Sequence, residues 1–289
     1  MSTLDHKIDF AVVLSVRNAN PNGDPLNGNR PRQNYDGYGE ISDVCLKRKI
    51  RNRLQDNGEP ILVQSDERRG DAYRSIKDRV DGNAELQEFA KGKKQNNDLY
   101  AQVACQSWID VRSFGQVFAF SGTDVSIGIR GPVSIHTAVS LAPIDISSMQ
   151  ITKSVNAVTP AKDPNKKSSD TMGMKHRVDF GVYVFYGSIN TQLAEKTGFT
   201  HEDAEKIREA LTSLFANDSS SARPDGSMEV HRVYWWEHKN KLGQYSSAKV
   251  HRSLQIHLKE EVSEAKSAED YVYTIQPLDG LEVQEYEGL

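Results

Sequence analysis

From Ile8 to Val16 the chain is apolar except at Asp9 and Ser15, a run that predicts a buried strand. Leu46, Ile50 and Leu54 then recur every four residues, so a helix is expected over Ser42–Gln55, and Asn57-Gly58 is a suitable stop. Residues Asp66 to Ile109 are charged and helical in texture. Their apolar positions are Leu86, Phe89, Leu99, Val103 and Ile109, a pattern that suits an inserted helical lobe. Phe114–Phe120 and Val125–Ile135 read as paired strands, the second alternating Val125, Ile127 and Ile129 before Gly131-Pro132 interrupts it. Lys153–His176 is polar and carries two Pro. So long a loop inside a compact domain is either functional or disordered. Val178–Tyr186 resumes as a strand. Thr200 opens a helix with a capping-box partner at Asp203 and a core face of Ala204, Ile207, Leu211 and Leu214. Met228–Trp236 reads as the final strand. With the strands of 114–135 taken as one unit, the order is that of an α+β fold. It is a ferredoxin-like βαββαβ core within a single elaborated domain over residues 1–289.

Composition changes this picture little, and charge changes it more. Of 289 residues, 26% are charged and 37% hydrophobic, enough for a large core. No run approaches the length of a membrane span, and no secretory apolar segment follows the polar start. Cys45 and Cys105 are too few for a disulfide framework and suggest buried thiols in a reducing cytoplasm. The net charge of −4 argues against a globally basic nucleic-acid binder. The balance is uneven, however. Arg17 to Arg53 hold eight cations against four anions, so +4, whereas from Lys259 onward two Lys face nine Asp or Glu, so −7. The acidic tail masks a basic front segment.

The candidate chemistry lies in that segment. Val16 to Asn29, VRNANPNGDPLNGN, breaks the first strand with two Pro, two Gly and five Asn, namely Asn18, Asn20, Asn22, Asn27 and Asn29. Backbone N–H groups and amides without a nucleophile or base suit holding a phosphate chain better than cutting one. The following helix gathers Lys47, Arg48, Lys49, Arg51 and Arg53. From the residues alone this is either a solvated face or an anion site. No cofactor or metal is expected: His231, His238, His251 and His257 lack ligand spacing, and neither a Walker loop nor a GxSxG elbow occurs. Asp24, Asp36 and Asp43 could assist RNA cleavage, but turn-forming and helix-start roles account for them. The strand Arg177–Tyr186 has aromatics in an order loosely like an RNA-recognition motif, but with an extra residue and without its early Gly, so a half-buried aromatic face is the better reading.

Arg17-Asn18-Ala19-Asn20-Pro21-Asn22-Gly23-Asp24-Pro25 resembles the NPNGDP signature of the repeated backbone subunit of the type I CRISPR Cascade complex, particularly subtype I-C, within the RAMP superfamily. Ile41-Ser42 with Leu46-Lys47-Arg48 and Arg51 is similar to the start of that family's first helix. Asp110-Val111-Arg112-Ser113-Phe114-Gly115, Ile129-Arg130-Gly131-Pro132 and Tyr234-Trp235-Trp236-Glu237-His238 also look like the subtype. The resemblance spans roughly Ile8 to Leu258. It implies an RRM-like palm, a finger lobe at 66–109 and a long thumb loop at 153–176. Copies of such a subunit polymerise along a CRISPR guide RNA beside other Cascade subunits. The guide's bases are then left to pair with target DNA. A RAMP-type endoribonuclease is the rival reading. The residues expected on the RNA are Arg17, Asn18, Asn20, Asn22, Asn29, Arg30, Ser42, Lys47, Arg48 and Arg51. The thumb would add Lys162, Lys166, Lys167, Met172, Met174 and Lys175, with the two Met able to wedge between bases.

Overall fold

A computed structural model describes the chain apart from residues 1, 91–95, 122–123, 157, 160, 162, 164 and 167–171. The Ile8–Ala19 strand is buried on both faces because it is central in a large antiparallel sheet. The strand order is Val283–Glu287, Met228–Glu237, Ile8–Ala19, Met172–Ile189, Ala138–Pro143, Tyr38–Ile41. Val133–Ile135 and Ile146–Thr152 pair with the two ends of the long Met172–Ile189 strand. None of the described helices is long and apolar enough to cross a membrane.

Alternation along the central strand assigns its two faces. Phe10, Val12, Leu14 and Val16 pack under the helices Asp43–Asp56 and His201–Thr212, which bury Leu46, Ile50 and Leu54 and Ala204, Ile207 and Leu211. Both helices begin as their sequences require. The Ser42 hydroxyl accepts from Cys45 N at 3.3 Å, and Thr200 and Asp203 form a capping box. Ala11 and Val13 face the other way, toward helix Ser247–Ser253 and the hairpin Leu254–Leu258/Tyr271–Ile275. Phe180 and Tyr186 of the aromatic strand lie in that second core. They form a half-buried face beneath the C-terminal elements, not an open platform for stacking bases.

A third core joins Leu62, Leu86, Tyr100, Val103, Trp108 and Phe118. It is built by helices Ile76–Asp81, Ala84–Phe89, Asn97–Ser107 and Ile109–Phe114 with the hairpin Gly115–Phe118/Ile127–Arg130.

Three expectations need correction. The strands expected over 114–135 do not form one unit. Gly131-Pro132 separates the lobe hairpin from Val133–Ile135, which joins the sheet. The Met228–Glu237 strand is not the last, since Val283–Glu287 of the acidic tail pairs along it from Arg232↔Glu287 to Trp236↔Val283. Nor is 153–176 all loop. Met172–Val178 pairs with Ile146–Thr152 as a two-stranded ribbon beyond the sheet. A ribbon of this kind has no buried face, so no apolar alternation marks it, and its ladder hydrogen bonds alone define it.

Candidate nucleic-acid interface

The Asn/Gly loop is built by its own amides. Asn18 and Asn29 adopt left-handed backbone, with φ of 53° and 59°, which Asn tolerates. Asn20 is buried; its Nδ2 donates to Asn29 O at 2.7 Å. Asn22 Oδ1 accepts from Ser42 N at 2.9 Å and from the Ser42 hydroxyl at 2.8 Å, tying the loop to the helix start. Gly23 packs closely on Asn29, since a Cβ there would lie 2.0 Å from Asn29 Oδ1 and the Asn29 side chain would have to turn away. Asn20, Asn22 and Ser42 therefore shape the loop, whereas Asn18 and Asn29 are exposed on it.

The basic helix is largely committed within the chain. Lys47 Nζ lies 3.0 Å from Asp43 Oδ2. Arg48 Nη1 donates to Val63 O at 2.6 Å, and burial pulls its guanidinium below the usual arginine value. Lys49 is buried against Asp218; desolvation lowers its ammonium while Asp218 opposes the shift. Arg51 Nε donates to the fully buried Asp110 at 2.9 Å and lies over the Phe114 ring. Arg53 Nε donates to Ser213 Oγ at 2.8 Å. Spacing placed these cations on one helix, but the acids that claim Lys49 and Arg51 come from distant chain.

Arg17 stands apart from the loop. It points to the opposite sheet face, donates to Lys266 O and lies 4.7 Å from the Phe180 ring centre. The sheet's alternation puts Arg17 on the same side as Val13 rather than beside the helix start.

Arg30 connects the loop to the ribbon. Its Nη1 donates to Ser148 Oγ at 2.9 Å, and Ser148 Oγ is 2.8 Å from His176 Nδ1. The register places Ser148 opposite His176, Gln150 opposite Met174 and Thr152 opposite Met172. Period-two alternation therefore aligns His176, Met174 and Met172 on one ribbon face, with Lys175 on the other. Met172 and Met174 are 61% and 54% exposed, unlike core methionines. Lys166 is exposed near the ribbon tip, and Lys162 and Lys167 lie outside the described residues. Sequence reasoning missed Ser148 and His176, and only strand pairing brings them to Arg30. It also passed over Leu26 and Tyr35, exposed at 99% and 104% in and just after the loop.

The motifs that carried the resemblance have structural work. Asp110 accepts from Leu62 N at 2.8 Å, Val63 N at 3.1 Å and Arg51. Arg112 grips Asp203 through two hydrogen bonds of 3.0 and 2.7 Å, fixing helix Ile109–Phe114 to helix His201–Thr212. Gly131 passes so close to Ser113 that a Cβ would lie 2.2 Å from its carbonyl oxygen.

Residues 6–276 match the family described as CRISPR-associated protein Cas7. The chain belongs to the Cas7 family. A "CRISPR-associated protein Cas7" of Haloferax volcanii is 27% identical over 237 residues, covering 76% of this chain and 67% of the relative. Among solved structures, a chain of a "CRISPR RNA-guided surveillance complex, pre-nicking" superposes with a TM-score of 0.50 at 16% identity, covering 80% of this chain and 78% of that one. That likeness places the large antiparallel sheet and its α/β surroundings in a fold shared with a surveillance-complex subunit. In this Cas7-family chain, the sequence signatures thus coincide with the joints between loop, helix and lobe.

Proposed function

We propose that this chain is a non-catalytic backbone subunit of a type I Cascade complex, of subtype I-C, in the cytoplasm. Copies polymerise along a CRISPR guide RNA, contact other Cascade subunits and leave the guide's bases free to pair with target DNA. The observation that carries the reading is the Cas7 family match across residues 6–276. The strand order supports a ferredoxin-like, RRM-like palm. Numbering the four core strands in chain order, the sheet runs fourth, first, third, second, with two helices on one face. The third core serves as the finger lobe, and the ribbon, with the intervening residues 153–171, as the thumb.

The guide's backbone follows the exposed part of the loop and Arg30 onto the ribbon. Exposed Asn18 and Asn29, Arg30, Lys166 and Lys175 supply donors to phosphates, which position a strand without reading its sequence. Lys47 can exchange its exposed partner Asp43 for a phosphate, whereas Arg48 and Arg51 contribute mainly by holding the helix start. Met172 and Met174 share the ribbon face that begins at Arg30 and can enter between bases. The rival cleavage reading loses support from the acids. Asp24 accepts from Leu26 N at 3.2 Å, Asp43 pairs with Lys47, and Asp36 sits in an exposed turn.

The test begins with the ultraviolet spectrum of protein purified from cells that carry its guide, where co-purifying RNA is expected. Joint substitution Arg30→Ala and Lys175→Ala should weaken binding of unrelated RNAs by the same factor. It should also reduce the log–log salt slope by roughly 0.7 per lost contact. RNA-free protein with no affinity for guide RNA would overturn the reading. Cleavage of the RNA that tracks the purified protein would favour the endoribonuclease.

A further inference from the structure

Away from the loop and ribbon, the N-terminal segment and the start of helix His201–Thr212 bring two histidines to one carboxylate. His6 Nδ1 lies 2.9 Å from Asp5 Oδ1, and His201 Nε2 lies 3.2 Å from the same oxygen. One ligand atom from each of the three residues falls within 4.8 Å of the others. Backbone pairing holds the segments together: Leu4 N donates to Phe199 O at 3.0 Å, and Thr3 bridges Thr200. Separations of 2.9 and 3.2 Å approach the roughly 3.3 Å edge of a tetrahedron whose donors sit about 2.0 Å from zinc.

An independent observation sets the orientation of His6. Its other nitrogen, Nε2, lies 3.6 Å from Glu237 Oε2, while Glu237 Oε1 accepts from Trp235 Nε1 at 3.0 Å. A carboxylate behind an imidazole, itself fixed by a buried indole, is the outer arrangement that metal-ligating histidines use. Lys241, whose charge lies within reach of Asp5, is paired with Glu195. Asp5 and His201 are open enough for an ion to enter.

We propose that Asp5, His6 and His201 form a binding site for a divalent transition-metal ion of the zinc class, with Glu237 as the outer-shell partner of His6. Two nitrogens and one carboxylate oxygen favour zinc or cobalt over magnesium, which prefers oxygen ligands and keeps its waters. The remaining position is left to water. The bound ion staples the N-terminal segment to the helix start and, through Glu237, to the end of the Met228–Glu237 strand. The spacing of 195 residues between His6 and His201 hides this site from any motif search.

The test uses full-length, untagged, RNA-free protein treated with chelator, since a histidine tag would bind the probe itself. Titration with Co2+ should produce visible ligand-field bands that saturate at one equivalent and vanish when Zn2+ is added. His201→Ala and His6→Ala should each abolish the bands, whereas His257→Ala, an exposed histidine elsewhere, should retain them. With Zn2+ at about a hundred times its Kd, the wild-type melting temperature should rise by roughly 5 °C; Mg2+ should leave it unchanged. Melting of the metal-free variants near the parent temperature certifies that they fold. No bands in the wild type, or bands that persist in both His variants, would overturn the site.

Discussion

Replacing Asp110 by Ala is the most discriminating perturbation, because it separates structural cations from RNA-facing ones. Asp110 is fully buried and accepts from Leu62 N, Val63 N and Arg51 Nε at 2.8, 3.1 and 2.9 Å. Its removal strands a guanidinium that is only 13% exposed and two amides at the joint between helix Asp43–Asp56 and the lobe. Breaking one side of a buried ion pair costs about 3–5 kcal/mol. An orphaned buried donor costs about 1–3 kcal/mol, although local relaxation recovers part of this. The expected loss is therefore about 4–6 kcal/mol. Asp110→Asn, which keeps an acceptor for the amides, should lose about 2–3 kcal/mol. Urea denaturation followed by circular dichroism reads both, and a cycle with Arg51→Ala should show coupling of roughly 2 kcal/mol. A loss below about 1 kcal/mol for Asp110→Ala would refute the joint. So would an Arg51→Ala variant of parental stability that has lost RNA affinity, since Arg51 would then belong to the RNA surface.

Other outcomes follow from the same geometry. Replacing residues 153–171 with a short Gly/Ser linker should leave the melting temperature near the parent's, because closure entropy grows slowly with length. The variant should fail to form regular filaments on guide RNA in electron micrographs, and normal filaments would dismiss the thumb. Asp9 is fully buried; desolvation pushes its carboxyl up, but His238, Ser247 and Lys7 outweigh this and hold it below the ordinary 3.8. The unfolded chain therefore takes the proton first. Asp9 stabilises fully above about pH 4, and that contribution is lost as pH falls through the folded value. Asp9→Asn should flatten the acid limb of the stability curve, and an unchanged limb would contradict the assignment.

Local chemistry determined the elements that carry their own signals. The apolar run at Ile8–Val16 had to be a buried strand. Leu46, Ile50 and Leu54 gave the first helix a single core face, and the caps at Ser42 and Thr200 marked where helices begin. The NPNGDP segment likewise pointed to the family without any coordinates. The state of each cation was decided elsewhere. Arg51 and Lys49 look available on a helical wheel, but Asp110 and Asp218 lie 59 and 169 residues away in sequence, and only the packed fold brings them to the helix. The ribbon escaped notice because strand pairing beyond a core leaves no hydrophobic period. The last strand did too, since a short edge strand of mixed polarity resembles a tail. Periodicity reports which face of an element is buried. Which distant group satisfies a charge, and which nitrogen meets which carboxylate, is fixed by three-dimensional contacts that no local spacing encodes.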